Sequence, residues 1–431
     1  MTQSGSNDVV ITGVGIFSPI GIGVEDFQAG LAAGVPGFRP SERLNYISSP
    51  GCICGEIQGF DNSTARKLYL RPLRKSVKLM CREIQLGAAA ALQAMEHAGL
   101  SEGCYTPERV GVSFGANLMT SPPDVLAGGV TKCMTDANEF VYDEWGQDGI
   151  RGMEPLWLLC YLPNMPGCHI GIALDARGPN NSITHDEASG GLAINEAAGI
   201  IRRGRADVMV TGVTGTRLHT VKTAQAVMWD VLADGPAESR CRPLDTARSG
   251  EVVAETSCTL ILESREHAEK RGATILGTLL GCGTTCVMTP EGQPNEQQAV
   301  ERAAATALSK AGVTTDQLGH VNLGSSGHPK RDQLEAQAIR NILGDQADIT
   351  PITAPKSYLG SAGSGSSLAE IAASLLTLQD GQIIRTLNCD TPDPLAPQNV
   401  VTGENQTTDN RLFLKTSVTR MGQASAIVIQ A

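Results

Sequence analysis

Two adjacent carboxylates, Asp186 and Glu187, stand where a short strand, a sharp turn and a helix meet in Arg177-Gly-Pro-Asn-Asn-Ser-Ile-Thr-His-Asp-Glu-Ala-Ser-Gly-Gly-Leu192. The first turn of a helix carries unpaired N–H groups and partial positive charge, so an acidic side chain is electrostatically comfortable there. Two readings follow. In one, Asp186 and Glu187 simply satisfy the free N–H groups of the helix start. In the other, Glu187 is a general base or a carboxylate nucleophile, with His185 or His328 as its partner, in a setting where burial raises its pKa. A second candidate, Gly360-Ser-Ala-Gly-Ser-Gly-Ser-Ser367, precedes a helix and could cradle a phosphate through backbone N–H groups. It lacks a P-loop lysine at the required place, so nucleotide binding is not expected.

The elements that must position these residues are those of an α/β protein. The 431-residue chain is 41% hydrophobic and 18% charged, with 48 glycines, which fits many tight strand–helix turns. A formal charge of −11 argues against nucleic-acid binding as the main task. A short polar leader runs straight into Val9-Val-Ile-Thr-Gly, with no secretory signal, and no apolar run reaches bilayer length. A cytoplasmic location is expected. The twelve cysteines are scattered, without zinc-ligand spacing, and read as reduced thiols. No metal or cofactor is expected.

Apolar patterning predicts strands over 8–17, 109–115, 206–212, 257–263 and 273–281, with helices over 24–33, 75–98 (stopping at Gly99) and 189–204. A second cycle places helices at 296–311, 334–343 and 366–380, and strands at 320–323, 412–415 and 425–430. No Pro- or Ser-rich linker separates the cycles. One globule built from two similar α/β halves is the reading.

Several segments resemble the β-ketoacyl synthases, the decarboxylating condensing enzymes of fatty-acid and polyketide synthesis, in the family's order and spacing. They are Val9-Val-Ile-Thr-Gly-Val-Gly-Ile-Phe-Ser-Pro-Ile-Gly, Tyr161-Leu-Pro-Asn-Met165, Arg177-Gly-Pro-Asn180 and Ala206-Asp-Val-Met-Val-Thr-Gly212. Arg242-Pro-Leu-Asp245 with Arg248 and Gly250, and Glu266-His-Ala-Glu-Lys-Arg-Gly-Ala273, continue the series. The resemblance implies a thiolase-like fold, a five-layered αβαβα arrangement, usually dimeric. It implies an N-terminal half over 1–265 with the nucleophile turn at 178–191. The C-terminal half, 266–431, would hold the histidine loops at 321–329 and 356–367. It further implies an acyl chain and acyl carrier protein as partners.

The catalytic motifs depart from the family. The catalytic cysteine position falls on Glu187, and the two histidine positions fall on Gly324 and Ser361. In the family those imidazoles bind the malonyl thioester and stabilise its enolate, a task needing two donors on one oxygen. Arg420 stands where the family's gating phenylalanine would be, while Lys356 and Glu370 keep the spacing of a buried lysine–glutamate pair. Arg74, Lys75 and Lys78 match a basic stretch that in the family contacts the acidic carrier protein; a solvated helix face is the plain alternative. His328 follows the Gly324 position in the same loop and is a possible substitute imidazole.

The expected function is that of a non-condensing subunit resembling the chain-length factors of type II polyketide synthases, paired with an active ketosynthase. Those factors usually carry glutamine at the nucleophile position, where this chain has Glu187. One alternative is an acyltransferase or thioester hydrolase with rebuilt chemistry centred on Glu187. Another is a homodimeric protein that holds an acyl chain without reacting with it.

Overall fold

The strand Val9–Ser18 (β1) is buried along its whole length, so helices must cover both faces of the sheet that contains it. The computed structural model describes residues 8–44, 52–101 and 103–431. The polar leader over 1–7 lies outside the described residues.

The chain runs twice through one pattern. In the first pass β1 is followed by α1 (Arg82–His97), β2 (Val110–Ala116), α2 (Met165–Leu174), β3 (Asn180–Ile183), α3 (Ser189–Arg202), β4 (Val208–Thr216) and β5 (Glu255–Ser264). The second pass is β6 (Gly277–Cys286), α4 (Glu296–Ala311), β7 (His320–Asn322), α5 (Pro329–Leu343), β8 (Ile352–Thr353), α6 (Ser366–Thr377), β9 (Leu412–Val418) and β10 (Gln423–Gln430). The strand orders are β3-β2-β4-β5-β1 and β8-β7-β9-β10-β6, the same permutation twice. In each, the first three strands in that order are parallel and the remaining pairings antiparallel. The halves join where Val9, Val10 and Ile11 pair with Leu279, Thr278 and Gly277.

The layering follows from which helix each sheet touches. α1 and α2 pack against the first sheet, α4 lies on the second with α5 against it, and α3 and α6 pack together between the sheets. Close helix–strand approach is written into matching glycine pairs. A Cβ on Gly13 or Gly15 of β1 would lie 2.5 or 2.0 Å from the carbonyls of Ala94 or Ala90 in α1. On Gly281 or Gly283 of β6 it would lie 2.2 or 2.0 Å from those of Ala307 or Ala303 in α4. Both outer helices therefore sit against backbone that no larger residue could supply. This is the thiolase-like α/β fold that the motifs imply.

Two differences from the sequence reading stand out. The helix predicted over 75–98 starts only at Arg82; Val77–Leu79 is a 3-10 turn and Met80 is extended at φ −123°, ψ 121°. Val77 and Met80 are nonetheless buried, so apolar spacing continued through the break and hid it. Helices at Pro123–Lys132 and Thr220–Trp229, and α2, had no clear periodic signal and were not anticipated.

The junction of the halves is fastened by Glu263 on β5. Its buried carboxylate accepts from Thr12 of β1, from His267 Nδ1 at 2.6 Å and from Arg271 Nε at 2.8 Å, and Arg271 also donates to the Ala98 carbonyl beyond α1. Burial pushes this carboxyl up, but the bonds from Arg271, His267 and Thr12 hold it at about 2. A folded-state pKa below the unfolded one contributes stability above about pH 4.5 and loses it as pH falls toward 2. Glu263→Gln should therefore cost about 3 kcal/mol of unfolding free energy at pH 7. In urea titrations the gap to the parent protein should narrow from pH 5 to pH 3; a constant gap would contradict the assignment.

Candidate functional site

Strand β3 ends at Ile183 and the chain turns sharply before α3, with Asp186 in the left-handed region at φ 44°. Such a conformation is costly for a non-glycine residue and marks a turn held in place by its surroundings. Ser189 helps hold it: its hydroxyl accepts from the His185 N–H at 3.0 Å and pairs with Ser364 Oγ at 3.0 Å. The turn points Glu187 inward, 6% exposed, while Asp186 and His185 face solvent.

Glu187 does not satisfy helix N–H groups. Its Oε2 accepts from Lys356 Nζ at 3.1 Å and its Oε1 from Ser361 Oγ at 3.0 Å. The helix-start reading of this residue is thus corrected: the side chain spans the space between the two sheets instead of folding back on its own helix. Lys356 Nζ also donates to the Gly324 carbonyl at 2.6 Å and lies 3.1 Å from Glu370 Oε1. Lys415 Nζ lies 2.6 Å from Glu370 Oε2. Burial raises the Glu187 carboxyl, with the Lys356 ammonium opposing it, and the Glu187 and Glu370 carboxylates keep Lys356 protonated against its own burial.

The positions singled out in separate motifs therefore meet in one place: Glu187, Gly324, Lys356, Ser361 and Glu370. The loop after β7 is pinned by two further acids. Glu335 accepts from the Gly324 N–H at 3.0 Å, Ser325 Oγ at 2.8 Å and Thr416 Oγ1 at 2.7 Å, and Asp332 accepts from the N–H groups of Ser326 and Gly327, both at 2.9 Å.

A second set of charges, of which only Arg420 was singled out from sequence, adjoins the first. Arg217, just past β4, donates to Ser361 Oγ at 3.0 Å and Glu251 Oε2 at 2.8 Å, and pairs with Asp230. Arg331 reaches Glu251 and Glu296, both at 3.3 Å, and the Val418 carbonyl at 2.9 Å. Despite burial, Arg217 and Arg331 hold Glu251 at about 2. Arg420, in the turn between β9 and β10, lies 3.6 Å from Asp230 and 5.6 Å above the Trp229 ring. No local motif announces Arg217, Glu251 or Arg331; only the meeting of distant segments makes them neighbours.

Two imidazoles offered as partners for Glu187 are engaged elsewhere. His328 is the N-cap of α5, its Nδ1 accepting from the N–H groups of Lys330 and Arg331 at 3.2 and 3.3 Å. That geometry corrects its reading as a substitute for the histidine position at Gly324. His185 Nδ1 lies 3.1 Å from Gln423 Oε1. Cys241 is buried, its thiol pushed far up, and donates to the Ser326 and Lys356 carbonyls at 3.4 and 3.3 Å. Among the described residues no group of three His, Cys, Asp or Glu is arranged to hold a metal ion.

Arg74, Lys75 and Lys78 are exposed, on short turns instead of the helix face expected for them. Arg74 shares the lining of an open depression of about 750 Å³ with Arg66, Lys67 and Arg71. Among the described residues, none of these six cations forms an ion pair. The basic stretch thus extends further toward the N-terminus than the sequence reading placed it.

A thiolase-like frame with a buried acidic side chain at the turn between β3 and α3 sets the class of protein. The family models for the beta-ketoacyl synthase N-terminal and C-terminal domains match residues 6–268 and 274–390. A 3-oxoacyl-[acyl-carrier-protein] synthase 2 of Coxiella burnetii (strain RSA 493 / Nine Mile phase I) is 30% identical over 389 residues, covering 89% of each chain. The protein of that name from Staphylococcus aureus (strain N315) is 27% identical over 435 residues, 99% of each chain. Among solved structures, the ishigamide ketosynthase/chain length factor superposes with a TM-score of 0.83 at 24% identity, covering 98% of this chain and 99% of the other. A beta-ketoacyl synthase from Burkholderia phymatum STM815 superposes at 0.82 and 23% identity with the same coverage. The chain belongs to the β-ketoacyl synthase family. No helix among the described residues is long and apolar enough to cross a membrane.

If Glu187 is an interior ion-pair partner, Glu187→Ala should destabilise the fold by about 3–5 kcal/mol, because Lys356 keeps its burial and loses a counter-charge. A helix-start acid would cost only about 1 kcal/mol. Urea unfolding at neutral pH separates the two, and a loss below about 1 kcal/mol would overturn the buried-pair assignment.

Proposed function

We propose that this ketosynthase-like protein of fatty-acid or polyketide synthesis is a non-condensing subunit, acting as a chain-length factor does beside an active, cysteine-bearing ketosynthase. It contributes pocket wall and interface, and an acyl carrier protein addresses the assembly. The observation carrying this reading is that both Glu187 oxygens are occupied, by Lys356 at 3.1 Å and Ser361 at 3.0 Å, in an interior where the side chain is 6% exposed. So held, each Glu187 oxygen has one acceptor site committed to a neighbour, and a carboxylate does not replace a thiolate in thioester exchange. Gly324 offers no donor side chain, and the Ser361 hydroxyl is spent on Glu187. The pair of donors that condensation requires on one oxygen is therefore missing from both histidine positions. The unpaired cations Arg66, Lys67, Arg71 and Arg74, with Lys75 and Lys78, on a chain of net charge −11, favour an acidic carrier as partner.

One observation favours a second reading, an acyltransferase or thioester hydrolase. Ser361 Oγ donates to Glu187 Oε1 at 3.0 Å, the contact of a hydroxyl nucleophile with a carboxylate base, and burial raises the Glu187 pKa. Against it, Ser361 is fully buried and also accepts from Arg217. An acyl adduct on Ser361 or Glu187, trapped with acyl-carrier protein and read by mass spectrometry, would establish that reading instead.

Two measurements test the first reading. Co-expressed with a cysteine-bearing ketosynthase from its own gene neighbourhood, the chain should purify as a stable heterodimer; purification solely as a homodimer would count against it. Glu187→Cys, given acyl- and malonyl-carrier protein, should yield no β-ketoacyl product by mass spectrometry, because a thiol alone does not supply the missing donors. Detection of that product would sink the non-condensing assignment.

A further inference from the structure

The open depression of about 750 Å³ is lined by Asn62, Ser63, Arg66, Lys67, Arg71 and Arg74. Every one of these side chains can donate a hydrogen bond, and none carries a negative charge. The orientation of the Asn62 amide is set by its partner. Its Oδ1 accepts from Gln85 Nε2 at 2.9 Å, which leaves its own NH2 group to donate. Arg71 spends Nε on the Lys67 carbonyl at 3.1 Å and keeps both terminal NH2 groups. The adjoining acid, Asp61, is engaged by the Thr64 N–H at 2.7 Å and the Thr64 hydroxyl at 3.1 Å. Four cations thus share one concavity with no carboxylate in its lining.

Like charges gathered in this way repel, and a polyanion relieves the repulsion. A single phosphate brings about two negative charges, half of what the lining offers. A triphosphate brings about four, one on each inner phosphoryl group and about two on the terminal one. Three of the four cations are arginines, whose planar forks match phosphate oxygens in pairs.

A protein contact, by contrast, is anchored by aromatic or apolar side chains, and the lining has neither. Leu68, 55% exposed, lies outside it, as do Lys75 and Lys78. Those three remain for an acidic carrier, and the inference about the depression does not rest on the carrier reading. With no ring in the lining to stack a base, recognition falls on the phosphate chain. The Gly360–Ser367 loop is buried and takes no part.

We propose that this depression binds a polyphosphate chain of about four negative charges, with Asn62, Arg66, Lys67, Arg71 and Arg74 donating to its non-bridging oxygens. The chain arrives bare or as the tail of a nucleoside triphosphate, and the probes tell these sources apart.

The test is isothermal titration calorimetry of the full-length protein at pH 7 in metal-free buffer. The probes are tripolyphosphate, adenosine triphosphate, adenosine monophosphate and inorganic phosphate. One or both triphosphates should bind about tenfold more tightly than either monophosphate, the tighter of the two identifying the source. Arg66→Ala and Arg74→Ala should each weaken triphosphate binding about five- to tenfold. Lys75→Ala and Lys78→Ala should leave it within about twofold, and circular dichroism should show all four variants folded. No binding of either triphosphate at millimolar concentration, or monophosphates binding as tightly, would overturn the proposal. Equal losses from Lys75→Ala and Lys78→Ala would overturn it too, since diffuse surface charge responds that way and a built site does not. Carrier protein is absent from the titration, so failure of the docking reading would leave this result standing.

Discussion

A carboxylate buried between two sheets must bring its own counter-charge, and the interior of this protein is arranged around that requirement. Glu187, Lys356, Glu370 and Lys415 alternate in sign along one string, and all four are buried. Any one of them alone would face a desolvation cost of several kcal/mol. Together each ion lies about 3 Å from an opposite charge, where attraction in a weakly polar interior is strongest. The string also crosses the molecule. Glu187 comes from the first half, and Lys356, Glu370 and Lys415 come from the second, so the electrostatics that make the site tolerable also hold the halves in register.

The outer charges extend the same logic toward the surface. Arg217 bridges the interior, through Ser361, to Asp230, which also faces Arg420 in the turn between β9 and β10. With Trp229 beneath its guanidinium, Arg420 is tethered by charge and by the ring face. At the position where the resemblance expects a mobile aromatic gate, the structure has a cation held by two partners. A loop restrained in this way suits a wall better than a door.

What the sequence disclosed and what it withheld divide along a physical line. Strand–turn–helix patterning alternates through both halves, so the α/β class could be read from it, while the matching glycines of β1 and β6 took on meaning only beside the helices they touch. The motif positions 187, 324, 356, 361 and 370 were found because each sits in a local string of residues with its own signature. Arg217, Glu251, Arg331, Glu335 and Lys415 have no such signature. Each is an ordinary charged residue until four distant segments converge. Local pattern misled where direction mattered: an acid in a first helical turn reads as a cap, yet Glu187 turns away from its helix. His328, offered as a catalytic substitute, is the residue that does cap one. Apolar spacing likewise passed unbroken through Met80, because burial continues there although the helix does not.

The geometry at Gly324 explains why the altered positions belong together. A Cβ built there would stand 3.2 Å from the Thr416 carbonyl, 3.4 Å from Glu335 Oε1 and 3.6 Å from Lys356 Nζ. The lysine that neutralises Glu187 thus lies at van der Waals distance from the first atom of any side chain at 324, and its bond to the Gly324 carbonyl closes the remaining gap. A side chain at that position starts tight against the Thr416 carbonyl and in ordinary contact with Glu335 and Lys356. Removing Lys356 would leave Glu187 and Glu370 as facing buried acids, which the interior tolerates only if one is protonated. The acid at 187 and the bare backbone at 324 are therefore coupled through Lys356, which bonds to both, so removing that lysine leaves an unpaired charge.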